Sequence, residues 1–235
     1  MTAQLVALTV DATDPERLAA YWAGVLGWRP DPTDATVVVP ADDTGFVIRF
    51  LPSDAPKRVA NQVHLDLRSG SQQEQDDTVA RALALGGRHL DVGQLPEEEH
   101  VVLADPEGNE FCVTEAGNGF LADCPLLGAL SSDGTRALGL FWSAALGWPL
   151  VWDQDEETAI RSPHGGAKIS WGGPPLAPKA ERSRWRLEVA APAPELSVEV
   201  ERLLALGATR LRHDPAGDGV ALADPDGNEF ALRPA

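Results

Sequence analysis

The chain has 235 residues, 43% hydrophobic and 23% charged, the balance of a globular protein with a real core. Its 36 acidic against 19 basic residues leave a formal charge of −17, which repels phosphate backbones and anionic lipid and so argues against nucleic-acid and membrane partners. No apolar run reaches the roughly 18 residues of a membrane span, and two cysteines, Cys112 and Cys124, are too few for a disulfide framework or a Cys-based zinc site.

The opening MTAQLVALTV has no basic leader and moves straight into a strand pattern at 4–10, so no signal peptide and a reduced, cytoplasmic setting are expected. Asp14 and Pro15 then supply an N-cap and a first helical proline. Leu18, Tyr21, Trp22, Val25 and Leu26 fall on one helical face, and Gly27 ends the helix. Short strands follow near 36–39 and 46–50. The unit then restarts with a strand at 62–67, a helix over about 74–85 ending at Gly86, and strands near 88–91, 100–104 and 110–114. The last two strands are joined by Asp105-Pro106-Glu107-Gly108-Asn109, a tight turn in which aspartate caps, proline presets φ and Gly108 or Asn109 takes the left-handed conformation. That turn is read as scaffold.

Beyond the aperiodic stretch Glu115–Cys124 the pattern repeats. Tyr21-Trp22 returns as Phe141-Trp142, Ala84-Leu85-Gly86 as Ala205-Leu206-Gly207, and Asp105 through Phe111 as Asp224 through Phe230, at offsets of 119 to 121 residues. Each half therefore reads βαβββ-βαβββ. The chain is an α+β protein of four βαβββ units, with domains at 1–116 and 125–235 and a linker at 117–124.

Tandem βαβββ units, a helix ending in Leu-Gly-Trp and a closing strand introduced by DPxGNxF resemble the vicinal-oxygen-chelate superfamily, the glyoxalase, bleomycin-resistance and extradiol-dioxygenase group, and most of all its glyoxalase-like branch. The resemblance covers nearly the whole chain, twice. It implies two half-barrel domains, each around a cavity that in the family's enzymes holds a divalent metal on His, Gln or Glu from the first and last strands of each unit.

Strand alternation assigns side chains to such a cavity. In the first half Val6, Leu8 and Val10 face the core, and Thr9, Arg49, His64, Asp66, Glu110 and Cys112 face the cavity. In the second half the cavity face carries Lys168, Ser170, Arg186, Glu188, Glu229 and Arg233. His64 stands where the family's metal-binding His stands, but the other first-half ligand positions hold Ala7 and Cys112, and those of the second half hold Leu127, Arg186 and Ala231. No metal or other cofactor is therefore expected; if one binds, its ligands are His64, Glu110 and Cys112. His64 reads either as a hydrogen-bonded structural residue or as half of an acid/base pair with a carboxylate. Cys112 is expected as a small buried hydrophobe. Among the tryptophans, Trp22, Trp142 and Trp185 are expected in the core, while Trp152 and Trp171 are freer to line a pocket.

The resemblance implies a small-molecule partner, leaves homodimer formation open, and supports a metal-independent binding protein of the resistance or sequestration kind. The alternatives are a glyoxalase-type lyase or isomerase using His64 with Glu110 or Asp66, and an extradiol-type dioxygenase, which the single suitable histidine disfavours. Whether units pair within or across the halves is open.

Overall fold

A computed structural model describes residues 2–95, 97–176, 178–179, 182–212 and 219–235. The first unit comprises β1 (Gln4–Ala12), α1 (Pro15–Leu26), β2 (Arg29–Pro30), β3 (Val37–Val39) and β4 (Val47–Pro52). The second comprises β5 (Val63–Leu67), α2 (Gln72–Ala84), β6 (Arg88–His89), β7 (Val101–Ala104) and β8 (Glu110–Val113). The third has β9 (Leu127–Ser132), α3 (Arg136–Leu146), β10 (Leu150–Gln154), β11 (Glu157–Arg161) and β12 (Lys168–Trp171). The fourth has β13 (Trp185–Ala191), α4 (Leu196–Ala205), β14 (Thr209–Arg210), β15 (Val220–Ala223) and β16 (Glu229–Pro234).

Local chemistry sets the helices. The Asp14 carboxylate accepts from the Arg17 amide, Pro15 opens α1, and Gly27 at φ 68° closes it in the left-handed region. Thr135 and Gly147 do the same for α3. In β1 the register shifts between Leu5 and Ala7, so Leu5, in place of Val6, joins Leu8 and Val10 in the core.

The strands form two eight-stranded sheets, and each draws one unit from either half. The first sheet runs β14-β15-β16-β13-β1-β4-β3-β2 and the second β10-β11-β12-β9-β5-β8-β7-β6. Unit one is thus joined to unit four through the antiparallel β1–β13 pair, and unit two to unit three through β5–β9. The pairing is across the halves.

Within each half the join is made by side chains instead. Trp22, fully buried on α1, sets its ring 5.0 Å from Phe111 on the second sheet and 5.9 Å from Trp185 on the first. Its indole N–H donates to Asp105 Oδ2 at 3.1 Å, and the buried Asp105 also accepts from Asn109 Nδ2 and from the amides of Glu107 and Asn109. Trp142 repeats this with Phe230 and Asp224. The acid two residues on clasps the start of the same helix: Glu107 accepts from the Thr13 and Asp14 amides at 2.9 and 2.8 Å, and Asp226 from the Thr135 amide and hydroxyl. The repeated turn is therefore the fastener between one unit's helix and the next unit's closing strand. Glu107→Ala, which also leaves Arg184 with only the Asp11 carbonyl among its described partners, is expected to cost about 2 kcal/mol, the scale of hydrogen bonds to a charged acceptor. Urea unfolding checks this, and an unmoved midpoint would remove Glu107 from the clasp.

Candidate functional site

The cross-half pairing redistributes the residues assigned by alternation. Thr9, Arg49, Arg186, Glu188, Glu229 and Arg233 belong to the first sheet, whereas His64, Asp66, Glu110, Cys112, Lys168 and Ser170 belong to the second. The cavities expected for each half are replaced by one face per sheet.

The face of the first sheet closes on itself. Arg49 meets Glu188 at 2.6 Å, Glu188 meets Arg233 at 3.5 Å, and Arg186 makes a two-pronged pair with Asp11 at 2.6 and 3.0 Å. The Thr9 hydroxyl donates to the Arg186 carbonyl, and Glu229 is held by Arg182 at 2.6 Å. Only about 40 Å³ of space remains among these groups. That is room for a water molecule or so.

The second sheet presents two adjacent rungs of polar groups. Along one, His64 on β5 lies opposite Ser131 on β9, which lies beside Ser170 on β12. Along the other, Cys112 on β8 lies beside Asp66, Asp66 opposite Ala129, and Ala129 beside Lys168. His64 Nε2 and Asp66 Oδ1 are 3.3 Å apart. The Ser131 hydroxyl donates to Asp66 Oδ2 at 2.5 Å, and Ser131 and Ser170 lie 3.0 Å apart. Because Ser131 has one proton and spends it on Asp66, Ser170 must be the donor in that second contact. The chain Ser170→Ser131→Asp66 is thus directional and fixes the carboxylate from behind.

Glu110, expected to pair with His64, is turned away. It accepts from Lys57 Nζ at 2.5 Å and from the Asn61 amide at 3.1 Å, both in the stretch between β4 and β5. Asp66 takes its place beside the imidazole. Burial works to lower the basicity of His64, but hydrogen bonds to Asp66 and Cys112 and the charge of Asp66 outweigh it and raise the imidazole above its ordinary value. Burial pushes the Cys112 thiol up, more than His64 draws it down. Beside Asp66 the imidazole is held toward its protonated form, and burial holds Cys112 toward the thiol.

The arrangement that the resemblance implies for a metal, ligands from both paired units, does not fit. The partnering strands β9 and β12 contribute Ala129, Ser131, Lys168 and Ser170 to this face. Within one unit, however, His64, Asp66 and Cys112 bring one nitrogen, one oxygen and one sulfur within 4.8 Å of one another.

A cleft of about 680 Å³ opens over this face. Its lining combines the polar His64, Ser131, Ser170, Lys168, Asp133 and Glu157 with the apolar Phe120, Val151 and Trp152. Trp152, 40% exposed, meets Phe120 edge-on at 6.3 Å, and the Lys168 ammonium sits 4.3 Å over the Phe120 ring while donating to the Phe120 carbonyl. Trp171 borders the cleft but is buried as core. A second cleft of about 560 Å³ lies between the stretch ahead of β5, from Ser53 to Gln62, and Pro178, Arg182, Ser183 and Arg184, but its Lys57, Arg182 and Arg184 are taken by Glu110, Glu229 and Glu107. Ser131 and Phe120 escape a sequence reading. Ser131 gains meaning only when β9 is known to pair with β5, and Phe120 lies in the aperiodic linker.

The chain spans nearly all of two solved structures. It is 15% identical to glyoxalase I from Zea mays, covering 99% of this chain and 92% of that one with a TM-score of 0.65. It is equally 15% identical to a putative dioxygenase from Bacillus subtilis subsp. subtilis str. 168, covering 100% and 86% with a TM-score of 0.56. At this identity the likeness establishes a shared fold. No curated protein matches the chain in sequence. The profile of the glyoxalase-like domain matches twice, over residues 7–114 and 129–233, and the chain is therefore a member of the glyoxalase-like domain family, within the vicinal-oxygen-chelate superfamily, carrying two tandem copies.

Proposed function

We propose that the protein binds a small organic molecule in the cleft of the second sheet, without the two-unit metal arrangement of its superfamily. One observation carries this reading: a cleft of about 680 Å³ lined both by polar groups such as His64 and Ser170 and by apolar ones such as Phe120 and Trp152. Its volume lies in the range of about 300–1,000 Å³ typical of ligand sites, and apolar walls with a few convergent polar groups are their usual chemistry. Lys168, His64, Ser131 and Ser170 offer hydrogen-bonding groups to a ligand's polar end beside the acids Asp133 and Glu157, while Phe120 and Trp152 favour an aromatic or otherwise flat apolar body.

Anilinonaphthalene sulfonate, an aromatic anion, is the probe. One dye is expected to bind per chain, and Trp152→Ala is expected to weaken it by about 1–2 kcal/mol, roughly five- to thirtyfold. Trp152 is exposed, so its loss leaves the fold intact; Val198→Ser, on the exposed side of α4, serves as the control. Unsaturable binding, or equal affinity in Trp152→Ala, would sink the assignment.

A further inference from the structure

We infer that His64, Asp66 and Cys112 form a three-ligand site for a borderline-to-soft divalent metal, built within one βαβββ unit and containing a thiolate. This goes beyond the ligand reading and does not depend on it.

The geometry supports it in three ways. First, the 3.3 Å between His64 Nε2 and Asp66 Oδ1 is long for a charge-assisted hydrogen bond, which closes to about 2.7–2.9 Å. It matches the edge of a tetrahedron, about 3.3–3.5 Å, around an ion held at zinc-to-nitrogen and zinc-to-oxygen distances of about 2.0–2.2 Å. Second, Cys112 completes the set, since its sulfur lies within 4.8 Å of both other donor atoms and its residue is paired with Asp66 across the β5–β8 ladder. Small side-chain movements close that spread. Third, Asp66 is already oriented by a second layer of groups. Ser131 occupies Oδ2 at 2.5 Å, and Ser170 backs Ser131 at 3.0 Å, leaving Oδ1 toward His64. Carboxylate ligands are commonly fixed by such partners, and losing them weakens metal binding by roughly 10–100-fold.

The donor types decide the ion. Imidazole, carboxylate and thiolate suit zinc or cobalt(II), while the sulfur makes the site poor for magnesium or calcium, which take oxygen. On binding, the Cys112 thiol gives its proton to solvent and the metal–sulfur bond forms. Three protein donors leave a further position for water or a ligand, and His64 is the donor that borders the cleft.

Cobalt(II) added to the chelator-stripped full chain tests this without any activity or organic ligand. One equivalent is expected to bind and to give the near-ultraviolet thiolate-to-cobalt charge-transfer band together with visible bands of four-coordinate strength. Zinc is expected to abolish both, whereas excess magnesium leaves them unchanged. Cys112→Ser should lose the charge-transfer band, Cys124→Ser should keep it, and Ser131→Ala should weaken binding at least about tenfold. His64→Gln is read in the same way as a second ligand variant, with circular dichroism confirming its fold. No stoichiometric cobalt binding, a spectrum without the thiolate band, or a band that survives Cys112→Ser would each overturn the inference. The dye measurement is separate: loss of cobalt binding with the dye site intact removes the metal alone, and the reverse removes the ligand alone.

Discussion

Trp22→Ala is expected to bring the protein close to unfolding under ordinary conditions. Truncating a fully buried tryptophan costs about 3–5 kcal/mol where the cavity cannot collapse, and a whole domain has only about 5–15 kcal/mol of net stability. Collapse is hindered here because the ring is gripped from both sides, by Phe111 of one sheet and Trp185 of the other. The substitution also takes the indole donor from Asp105, whose carboxyl is already pushed up by burial despite four hydrogen bonds. Trp22→Phe separates the two parts. It keeps most of the ring contact but loses the donor, for an expected cost of about 1–3 kcal/mol. Trp142→Ala should be milder than Trp22→Ala by about 1 kcal/mol, because among the described residues Trp142 has Phe230 across from it but no counterpart of Trp185 in ring contact. Urea unfolding of the three variants checks the order. Equal losses in Trp22→Ala and Trp142→Ala would deny Trp185 its share in holding the sheets together.

The elements themselves were legible because their signals are local. Asp14 with Pro15, Gly27 and Gly147, and the doubled DPxGNEF turn each act within a few residues, and all stand where the sequence placed them. Strand alternation likewise put His64, Asp66 and Cys112 on one face. What alternation does not encode is the neighbour. β1 offers the same faces whether it pairs with β5 or β13, and that choice separated Thr9 and Arg49 from His64 and brought Ser131 and Lys168 to it. Glu110 shows a second limit. It lies on the expected strand, but Lys57 from an irregular stretch captures it at 2.5 Å, and no periodicity announces such a contact. The repeated turn was read as scaffold, which the buried hydrogen bonds of Asp105 and Asn109 explain. Its second use, closing the neighbouring helix through Glu107 and Asp226, depends on the packing of units and was not visible in the residues alone.

Asp11→Ala is expected to be nearly as damaging as the loss of Trp22, for an electrostatic reason. Asp11 and Arg186 face each other where β1 and β13 join the two halves, with side chains only 13% and 7% exposed. Removing the carboxylate leaves the Arg186 guanidinium with backbone carbonyls of Ser183 and Arg184 as its remaining acceptors. Uncompensated buried charge of this kind costs about 3–5 kcal/mol. Arg186→Met should cost less, because Arg182 stands 3.6 Å from Asp11 and still answers its charge. The double variant Asp11→Leu with Arg186→Met should recover much of the loss, since a desolvated ion pair is often matched by apolar groups of similar volume. The expected signature is therefore a coupling energy of more than about 1 kcal/mol in the double-mutant cycle closed by the single variants Asp11→Leu and Arg186→Met, read from thermal or urea unfolding. Additive losses would mean that the pair is solvated in practice and that the seam between the halves rests on the β1–β13 ladder and the core beneath it.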